Sequence, residues 1–332
     1  MFNKILVVGP SWVGDMVMAQ CLFKLLKENN PNTVIDVLAP DWSRPILSRM
    51  PEVSSIFSIS IGHGKLKLKE RYNLGVKFRS KRYDKAIILP NSFKSALITW
   101  FARIPIRTGW MREMRYGLLN DYRKLDKEKY PLMIHRFMAL GLMPYEKLDL
   151  KFLMPKLRVS PQKQLDSLSK FKLNIEKPIL AICPGAEFGQ AKRWPEKYYA
   201  DIANFKLKQG FSVWIFGSSN DSSIAGSIMA MTNNHCIDLT GKTNLEEAID
   251  LLALADKVLT NDSGLMHIAA ALDRDLIVLY GPTTSSFTPP LTKKAKILTL
   301  GLSCQPCFKR VCPLKHNNCM INLTPEKVLA QI

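Results

Sequence analysis

One carboxylate stands where a short apolar run gives way to a helical pattern. The run at residues 4–8 is β-rich and is followed by residues 9–16, GPSWVGDM, in which Asp15 opens the helix. Open α/β sheets place their ligand sites at the carboxyl ends of strands, so Asp15 is a candidate site residue. The alternative is that Asp15 only caps the helix or interacts with its dipole.

The same turn excludes two common nucleotide-binding motifs. Gly9 and Gly14 have the spacing of a phosphate-binding P-loop, but Asp15 and Met16 stand where that loop needs Lys and then Ser or Thr. Ser11 occupies the position of the second glycine of the dinucleotide fingerprint. ATP hydrolysis on a P-loop is therefore excluded, and the dinucleotide motif is not satisfied.

A second candidate site lies at residues 183–195, CPGAEFGQAKRWP, between a predicted strand and a predicted helix. Small residues with free amides around Glu187 and Phe188, followed by Lys192 and Arg193 near a helix start, form a good cradle for an anion. An ordinary strand-to-helix loop with solvated basic residues is the alternative.

A third group, residues 261–267, NDSGLMH, follows another predicted strand. Asp262 or Ser263 can cap the next helix, and Gly264 lets a ligand approach its first free N–H groups. His267 falls about one turn into that helix, on the side facing the loop. Capping and a core histidine would explain these residues one by one, but together they predict a diphosphate site.

Four of the seven cysteines cluster near the end of the chain as Cys304-x2-Cys307-x4-Cys312-x6-Cys319, with His316 inside the loop. Such a set could close around a structural zinc ion, although the spacing matches no standard two-knuckle pattern. Free thiols are the alternative, and a reducing cytoplasm disfavours disulfides.

Strand-like and helix-like segments alternate along the chain and predict parallel sheets covered on both faces. Periodicity is lost from 144 to 161, where prolines recur, which favours a linker. We therefore predict an α/β protein with two doubly wound domains facing each other across a cleft, over residues 1–155 and 156–322. Residues 323–332 have the N-cap, proline and acid of a short terminal helix.

The chain has 332 residues with a net charge of +19, and the excess is one-sided. Residues 1–166 carry +15 and the remainder +4, and residues 62–129 alone carry +12. The first half is therefore expected to meet something anionic, such as nucleic acid, a membrane surface or a polyanionic substrate. No apolar run reaches the roughly 18 residues of a membrane span, and the first is too short for a signal peptide, which predicts a cytoplasmic protein.

These motifs resemble one family over nearly the whole chain. The resemblance is carried by residues 9–18, 89–96, 107–110, 114–121, 183–189 and 261–267, blocks that include the rare residue types Trp, Met and His. The chain is similar to the ADP-heptose:lipopolysaccharide heptosyltransferases II of glycosyltransferase family 9.

That resemblance implies a GT-B fold with two Rossmann-like domains, the first binding the acceptor and the second the nucleotide sugar. The terminal helix would return to the first domain. The implied reaction is inverting transfer of heptose from ADP-heptose to the first heptose of the lipid A-linked inner core, at the cytoplasmic face of the inner membrane, without a metal or other cofactor. Asp15 would be the general base, because inverting transfer needs one to take the acceptor proton.

The remaining candidate residues divide between the two substrates. For the donor they are Glu187, Phe188, Lys192, Asp262, Ser263, Gly264 and His267. For the acceptor they are Asn91, Lys94, Arg107, Arg112 and Arg115. Three alternatives stay open: a heptosyltransferase with another acceptor, an enzyme acting on a soluble nucleotide sugar, and a basic nucleic-acid-binding protein. The last lacks a recognisable nucleic-acid-binding motif, so no nucleic acid partner is expected.

Overall fold

The computed structural model describes residues 2–59, 65–144, 146–149 and 151–332. The chain divides into two compact units, Met1–Pro155 and Lys156–Ile332. Residues 145 and 150 of the predicted linker lie outside the described residues, and the next helix begins at Pro161.

The first unit alternates strands and helices from its first residues. Its strands are β1 (Lys4–Val8), β2 (Val34–Pro40), β3 (Ser55–Ile59), β4 (Lys85–Ile88), β5 (Ile106–Trp110) and β6 (Asp121–Arg123). Its helices are α1 (Val13–Met18), α2 (Gln20–Asn29), α3 (Arg44–Leu47), α4 (Leu68–Arg79), α5 (Phe93–Phe101) and α6 (Met133–Ala139). The helical pattern around Asp15 is thus divided at Ala19 into α1 and α2.

The strands of the first unit form one parallel sheet in the order β3-β2-β1-β4-β5-β6. The chain order reverses between β1 and β4, which pair directly, with Val8 opposite Ile88. In doubly wound sheets such a reversal opens a crevice at the carboxyl ends of the two strands. The loops that follow β1 and β4 are therefore placed side by side.

The central strands are apolar because both faces of the sheet are covered. Leu6 and Val8 of β1 and Ile88 of β4 are buried in one cluster with Leu97 and Ile98 of α5. A continuous apolar strand is typical of a parallel sheet between helical layers. This packing fixes the strand ends from which the loops project.

The second unit repeats the design. Its strands are β7 (Ile179–Cys183), β8 (Ser212–Ile215), β9 (Ile237–Asp238), β10 (Lys257–Asn261), β11 (Asp275–Leu279) and β12 (Ala295–Leu298). Its helices are α7 (Pro161–Phe171), α8 (Glu196–Lys208), α9 (Ser222–Met231), α10 (Leu245–Leu252), α11 (Gly264–Ala271), α12 (Asn318–Ile321) and α13 (Pro325–Leu329).

The second sheet is also parallel, in the order β12-β11-β10-β7-β8-β9, and its reversal lies between β7 and β10. Counted from its own first strand, this is the same order as in the first unit. Cys183 at the end of β7 lies opposite Thr260 of β10, so the two loops singled out in the sequence leave adjacent strands at one edge. The prediction of two doubly wound α/β domains is confirmed.

The terminal helix α13 clusters with the second unit, where it packs against α8. Its expected return to the first domain stays a prediction. Val328 is fully buried in the core of that unit with Leu323, and Trp194 donates its indole N–H to the carbonyl of Leu323 at 2.7 Å. Burial of these apolar side chains holds the end of the chain there.

Several elements escaped the sequence analysis, namely β5, β6, β12, α6, α7 and α12. Two of these strands contain polar or turn-forming residues, such as Arg107 and Gly109 in β5 and Asp121 in β6, so they show no apolar run. No helix in the described part of the chain is long and apolar enough to cross a membrane.

Candidate active site

A cavity of about 550 Å³ opens in the first unit at the reversal between β1 and β4. The loops after both strands contribute to its wall, as the topology requires. It is lined by Pro10, Ser11, Trp12, Asp15, Leu89, Pro90, Asn91, Ser92, Lys94, Trp110, Arg112, Leu125, Lys127, Met133, Arg136 and Phe137.

Asp15 is the only acid among these lining residues. It lies in the first turn of α1, and Trp12, at the N-cap position, makes no side-chain capping bond. Burial raises the pKa of Asp15 from its ordinary value of 3.8 to about 6, because no ion pair within the described residues offsets the loss of solvent. A carboxylate with a pKa near the working pH is suited to accept a proton.

Four cationic side chains line the same cavity. Lys94 and Arg112 were predicted at this site, and Asn91 joins them, whereas Lys127 and Arg136 were missed. Burial lowers the pKa of Arg136, and the nearby charge of Arg112 lowers it further. Two guanidinium groups that repel each other beside a cavity favour the binding of an anion between them.

Arg107 does not line the cavity, contrary to the prediction. Its guanidinium donates to the carbonyls of Leu118 at 2.7 Å and Ile104 at 2.6 Å, and burial lowers its pKa. The donors that could meet a ligand are used to hold the loop after β5 in place.

Arg115 is likewise engaged within the protein. It is 3% exposed, and its guanidinium donates to the carbonyl of Pro90 at 2.8 Å and to Asn91 Oδ1 at 3.4 Å. It also bonds the carbonyl of Trp110. Burial lowers the pKa of Arg115 to about 10, so the group stays charged while it orients three parts of the cavity wall.

In the second unit, Asn261 joins the loops that follow β7 and β10. Its Nδ2 donates to the carbonyl of Pro184 at 2.8 Å, and its Oδ1 accepts from the Tyr199 hydroxyl at 2.9 Å. The bond from Asn261 to Pro184 therefore holds the two loops together. Gly185 lies where the first of these loops passes Asp221: a Cβ at this position would come within 2.5 Å of a carboxylate oxygen of Asp221.

Lys192 and Asp262 form an ion pair across these two loops. Lys192 Nζ lies 2.6 Å from Asp262 Oδ2 and also donates to the Asp262 carbonyl at 3.1 Å. Thr283 donates its hydroxyl to the same carboxylate oxygen at 2.6 Å. Asp262 thus holds Lys192 in place, and its carboxylate is already engaged by two donors within the protein.

The ring of Phe188 lies beneath two cations. Lys192 Nζ is 4.8 Å from the ring centroid and the Arg310 guanidinium carbon is 5.5 Å from it. Arg310 was missed because it is far along the chain from the loop that it contacts. Glu187 is exposed on the same loop. Phe188 therefore groups the positive charge on one side of the loop.

The start of α11 presents free N–H groups. Ser263 occupies the N-cap position without a capping bond, since its hydroxyl lies 3.3 Å from that of Thr260. The first amides, beginning at Gly264, can therefore bind an anion. His267 is 6% exposed, and burial lowers its pKa to about 4, so the ring is neutral near pH 7. The nearby charge of Lys192 lowers that pKa further, while Asp262 raises it.

The four clustered cysteines are free thiols. In the positions that the side chains occupy, no group of three or more His, Cys, Asp or Glu residues in the described part of the chain could hold a metal ion.

Comparison with known proteins now adds to this geometry. Residues 71–318 match the model of glycosyltransferase family 9 (heptosyltransferase). Lipopolysaccharide heptosyltransferase 2 of Salmonella typhimurium is 48% identical over 99% of this chain and 97% of its own length, and that of Escherichia coli is 47% identical over the same shares. The structure of E. coli ADP-heptose LPS heptosyltransferase II matches 99% of this chain and 97% of its own, with 45% identity and a TM-score of 0.89. The chain belongs to glycosyltransferase family 9, the heptosyltransferases.

Proposed function

We propose that this enzyme transfers L-glycero-D-manno-heptose from ADP-heptose to the first heptose of the lipid A-linked inner core, with inversion at the anomeric carbon. The observation that carries the proposal is Asp15, a partly buried carboxylate in a cation-lined cavity, for which the described residues offer no offsetting ion pair. It occurs in a chain that is 48% identical over nearly its full length to a heptosyltransferase 2.

In the proposed reaction Asp15 accepts the proton of the acceptor hydroxyl as that oxygen forms its bond to the anomeric carbon. The bond from the same carbon to the diphosphate breaks in that step, and its electron pair leaves with ADP. Its pKa of about 6 keeps Asp15 mostly ionised at pH 7 yet more basic than an ordinary aspartate.

The departing diphosphate gains negative charge and needs donors around it. The N–H groups at the start of α11, the Lys192 ammonium and the Arg310 guanidinium lie on loops of the second unit that suit this role. Asp262 neutralises part of the Lys192 charge, so we assign more of the stabilisation to the helix start and to Arg310 than the sequence suggested. His267, neutral at pH 7, can donate or accept one hydrogen bond there.

The acceptor proposed here carries carboxylate and phosphate groups. Lys94, Arg112, Lys127 and Arg136 line the first cavity and would bind those anions. Guanidinium groups suit carboxylate and phosphate because their planar donors match two oxygen atoms at once. This arrangement accounts for part of the positive charge of the first half of the chain.

The reaction is tested by incubating the purified enzyme with ADP-heptose and defined truncated lipopolysaccharides, with products followed by mass spectrometry. We expect one heptose to be added to heptosyl-Kdo2-lipid A and none to Kdo2-lipid A. Transfer to the acceptor without heptose would favour a heptosyltransferase with another acceptor, the second candidate. Absence of transfer to either would refute the proposal.

We further propose that the first unit binds peripherally to the anionic cytoplasmic face of the inner membrane. Leu68, Tyr72 and Val76 recur every four residues on α4, so they form one apolar stripe, and each is at least 36% exposed. Trp100 of α5 is also exposed. Lysines at 65, 67, 69 and 77 adjoin the stripe, a combination that suits an anionic lipid surface.

Vesicle co-sedimentation tests this placement. The chain should bind vesicles containing phosphatidylglycerol more tightly than vesicles of phosphatidylcholine alone, and Tyr72→Ser should weaken that binding several-fold. Leu165→Ser, at a leucine of the second unit that is 58% exposed compared with 46% for Tyr72, is the control and should bind like the wild type. Equal binding of both variants, or equal binding to both lipids, would contradict the assignment.

A further inference from the structure

Four thiols that the proposed reaction does not use meet at one place in the second unit. Cys304, Cys307, Cys312 and Cys319 line a single cavity of about 20 Å³. A space of this size has room for one water molecule or one ion. The loops and the short helix α12 thus bring together residues that span 16 positions in the sequence.

The four thiols lie close together and are reached by backbone donors. Backbone N–H groups of residues 314–317 donate to Cys312. The other three thiols are close enough to Cys319 to interact with it electrostatically. Four thiolates this close together would repel one another, and a bound cation would remove that repulsion.

His316 also lines the cavity, but its ring is already engaged. Its Nδ1 accepts the backbone N–H of Asn318 at 3.0 Å, which leaves the proton on Nε2. Four sulfur ligands are the number that a tetrahedral metal site takes, so no imidazole ligand is needed.

We propose that Cys304, Cys307, Cys312 and Cys319 bind one Zn²⁺ ion as four thiolates. Zinc takes tetrahedral sulfur sites, with Zn–S bonds of about 2.3 Å. The thiols do not stand at ligand positions without the ion. A change of one staggered χ1 rotamer moves a cysteine sulfur by about 3 Å, which is sufficient to gather four sulfurs lining so small a cavity. Each ligand releases its proton to solvent on binding.

The zinc site would act on the donor side, an effect that rests on the proposed function. The cysteine segment contacts the loop around Phe188: the Ala191 N–H donates to the Arg310 carbonyl at 3.0 Å, and a Cβ on Gly189 would lie 2.4 Å from that same oxygen. Phe308 donates its N–H to the carbonyl of Pro282 at 2.8 Å. A metal that fixes the segment would therefore fix Arg310 and the loop beneath it.

Metal content is the direct test. The full-length chain, produced in zinc-supplemented medium and purified without chelators, should contain about one zinc per chain by mass spectrometric metal analysis. Cys307→Ser and Cys312→Ser should each lose most of it. Cys236→Ala, at a buried cysteine outside the cluster, is the matched control and should keep it. A zinc content below about 0.1 per chain, or equal zinc in all variants, would overturn the proposal, and stoichiometric iron would overturn the assignment to zinc.

A second measurement on the wild-type chain does not depend on whether the variants fold. After zinc is removed and replaced by Co²⁺, a tetrahedral tetrathiolate site should show strong thiolate-to-cobalt charge-transfer bands and intense visible bands. Their absence, with Co²⁺ retained weakly or not at all, would count against the four-cysteine site.

The proposed coupling between the zinc site and the donor loop is tested by measuring ADP binding with and without zinc. Removal of zinc should weaken ADP binding by about tenfold in calorimetry, and restored zinc should recover it. Stoichiometric zinc in a chain that binds no ADP or ADP-heptose would leave the metal site intact and refute the proposed function. Zinc removal that leaves ADP affinity unchanged would overturn the proposed coupling to the donor loop.

Discussion

Replacement of Asp15 by Asn should change stability and activity in opposite directions. Burial raises the pKa of Asp15, so the folded chain holds the proton more tightly than the unfolded chain does. Ionisation of Asp15 therefore destabilises the folded state. This cost is absent below about pH 4, grows between about pH 4 and 6, and is complete above pH 6.

The magnitude follows from the two pKa values. A tenfold change in a proton-binding constant corresponds to about 1.4 kcal/mol, so the rise from 3.8 to about 6 corresponds to about 3 kcal/mol. Asp15→Asn keeps the shape but removes the charge. At pH 7.5 the variant should be more stable than the wild type by up to about 3 kcal/mol, and near pH 4 the difference should vanish. Its kcat should fall by about 10²-fold or more because the base is gone.

Urea denaturation at both pH values measures the stability difference. Hydrogen exchange of peptides from the first unit is the readout, because it reports unfolding of that unit alone. Glu28→Gln, at an exposed acid on α2, is the control and should change neither stability nor kcat. If Asp15 were only a partner of the α1 dipole, the Asn variant would instead be less stable at pH 7.5 by about 0.5 kcal/mol. That result, or near-normal turnover, would refute the reasoning.

Three further predictions concern the same reaction. Below about pH 6, kcat/KM should fall about tenfold per pH unit as Asp15 becomes protonated, measured at constant ionic strength; a flat profile down to pH 5 would exclude it as the base. Arg112→Gln should raise KM for the lipid acceptor about tenfold and leave ADP affinity unchanged in calorimetry. Lys124→Gln, outside the cavity lining, is the control and should change neither KM nor ADP affinity. Lys192→Met should weaken ADP binding and lower kcat in single-turnover assays; wild-type values for both would remove Lys192 from the donor site.

The local sequence was sufficient to place the main elements and loops. Apolar runs such as residues 4–8 and 179–183 are strands because they are short, continuous and followed by turn-forming residues. The groups after them, at Asp15, at Lys192 and at residues 261–267, lie at carboxyl ends of strands as predicted. These features depend on periodicity and on neighbouring residues, both of which can be read along the chain.

The arginines show what local sequence leaves undetermined. Arg107, Arg112 and Arg115 lie within nine residues of one another, yet only Arg112 lines the cavity. The other two donate to backbone carbonyls. For Arg115 these include the carbonyl of Pro90, which is 25 residues away and which no local pattern indicates. Arg136 lines the cavity because α6 packs beside β5, so its role also depends on the tertiary fold.

The alternation of strands and helices, the glycine-bearing turns and the residue types available for proton transfer and anion binding can all be read along the chain. Which of these groups meet depends on the folded structure. Lys192 and Asp262 are 70 residues apart, and they pair because β7 and β10 are neighbours at the reversal of the sheet. Arg310 reaches Phe188 only through the folding of the cysteine segment. Burial, charge pairing and pKa values depend on neighbours in space, and strand order sets those neighbours.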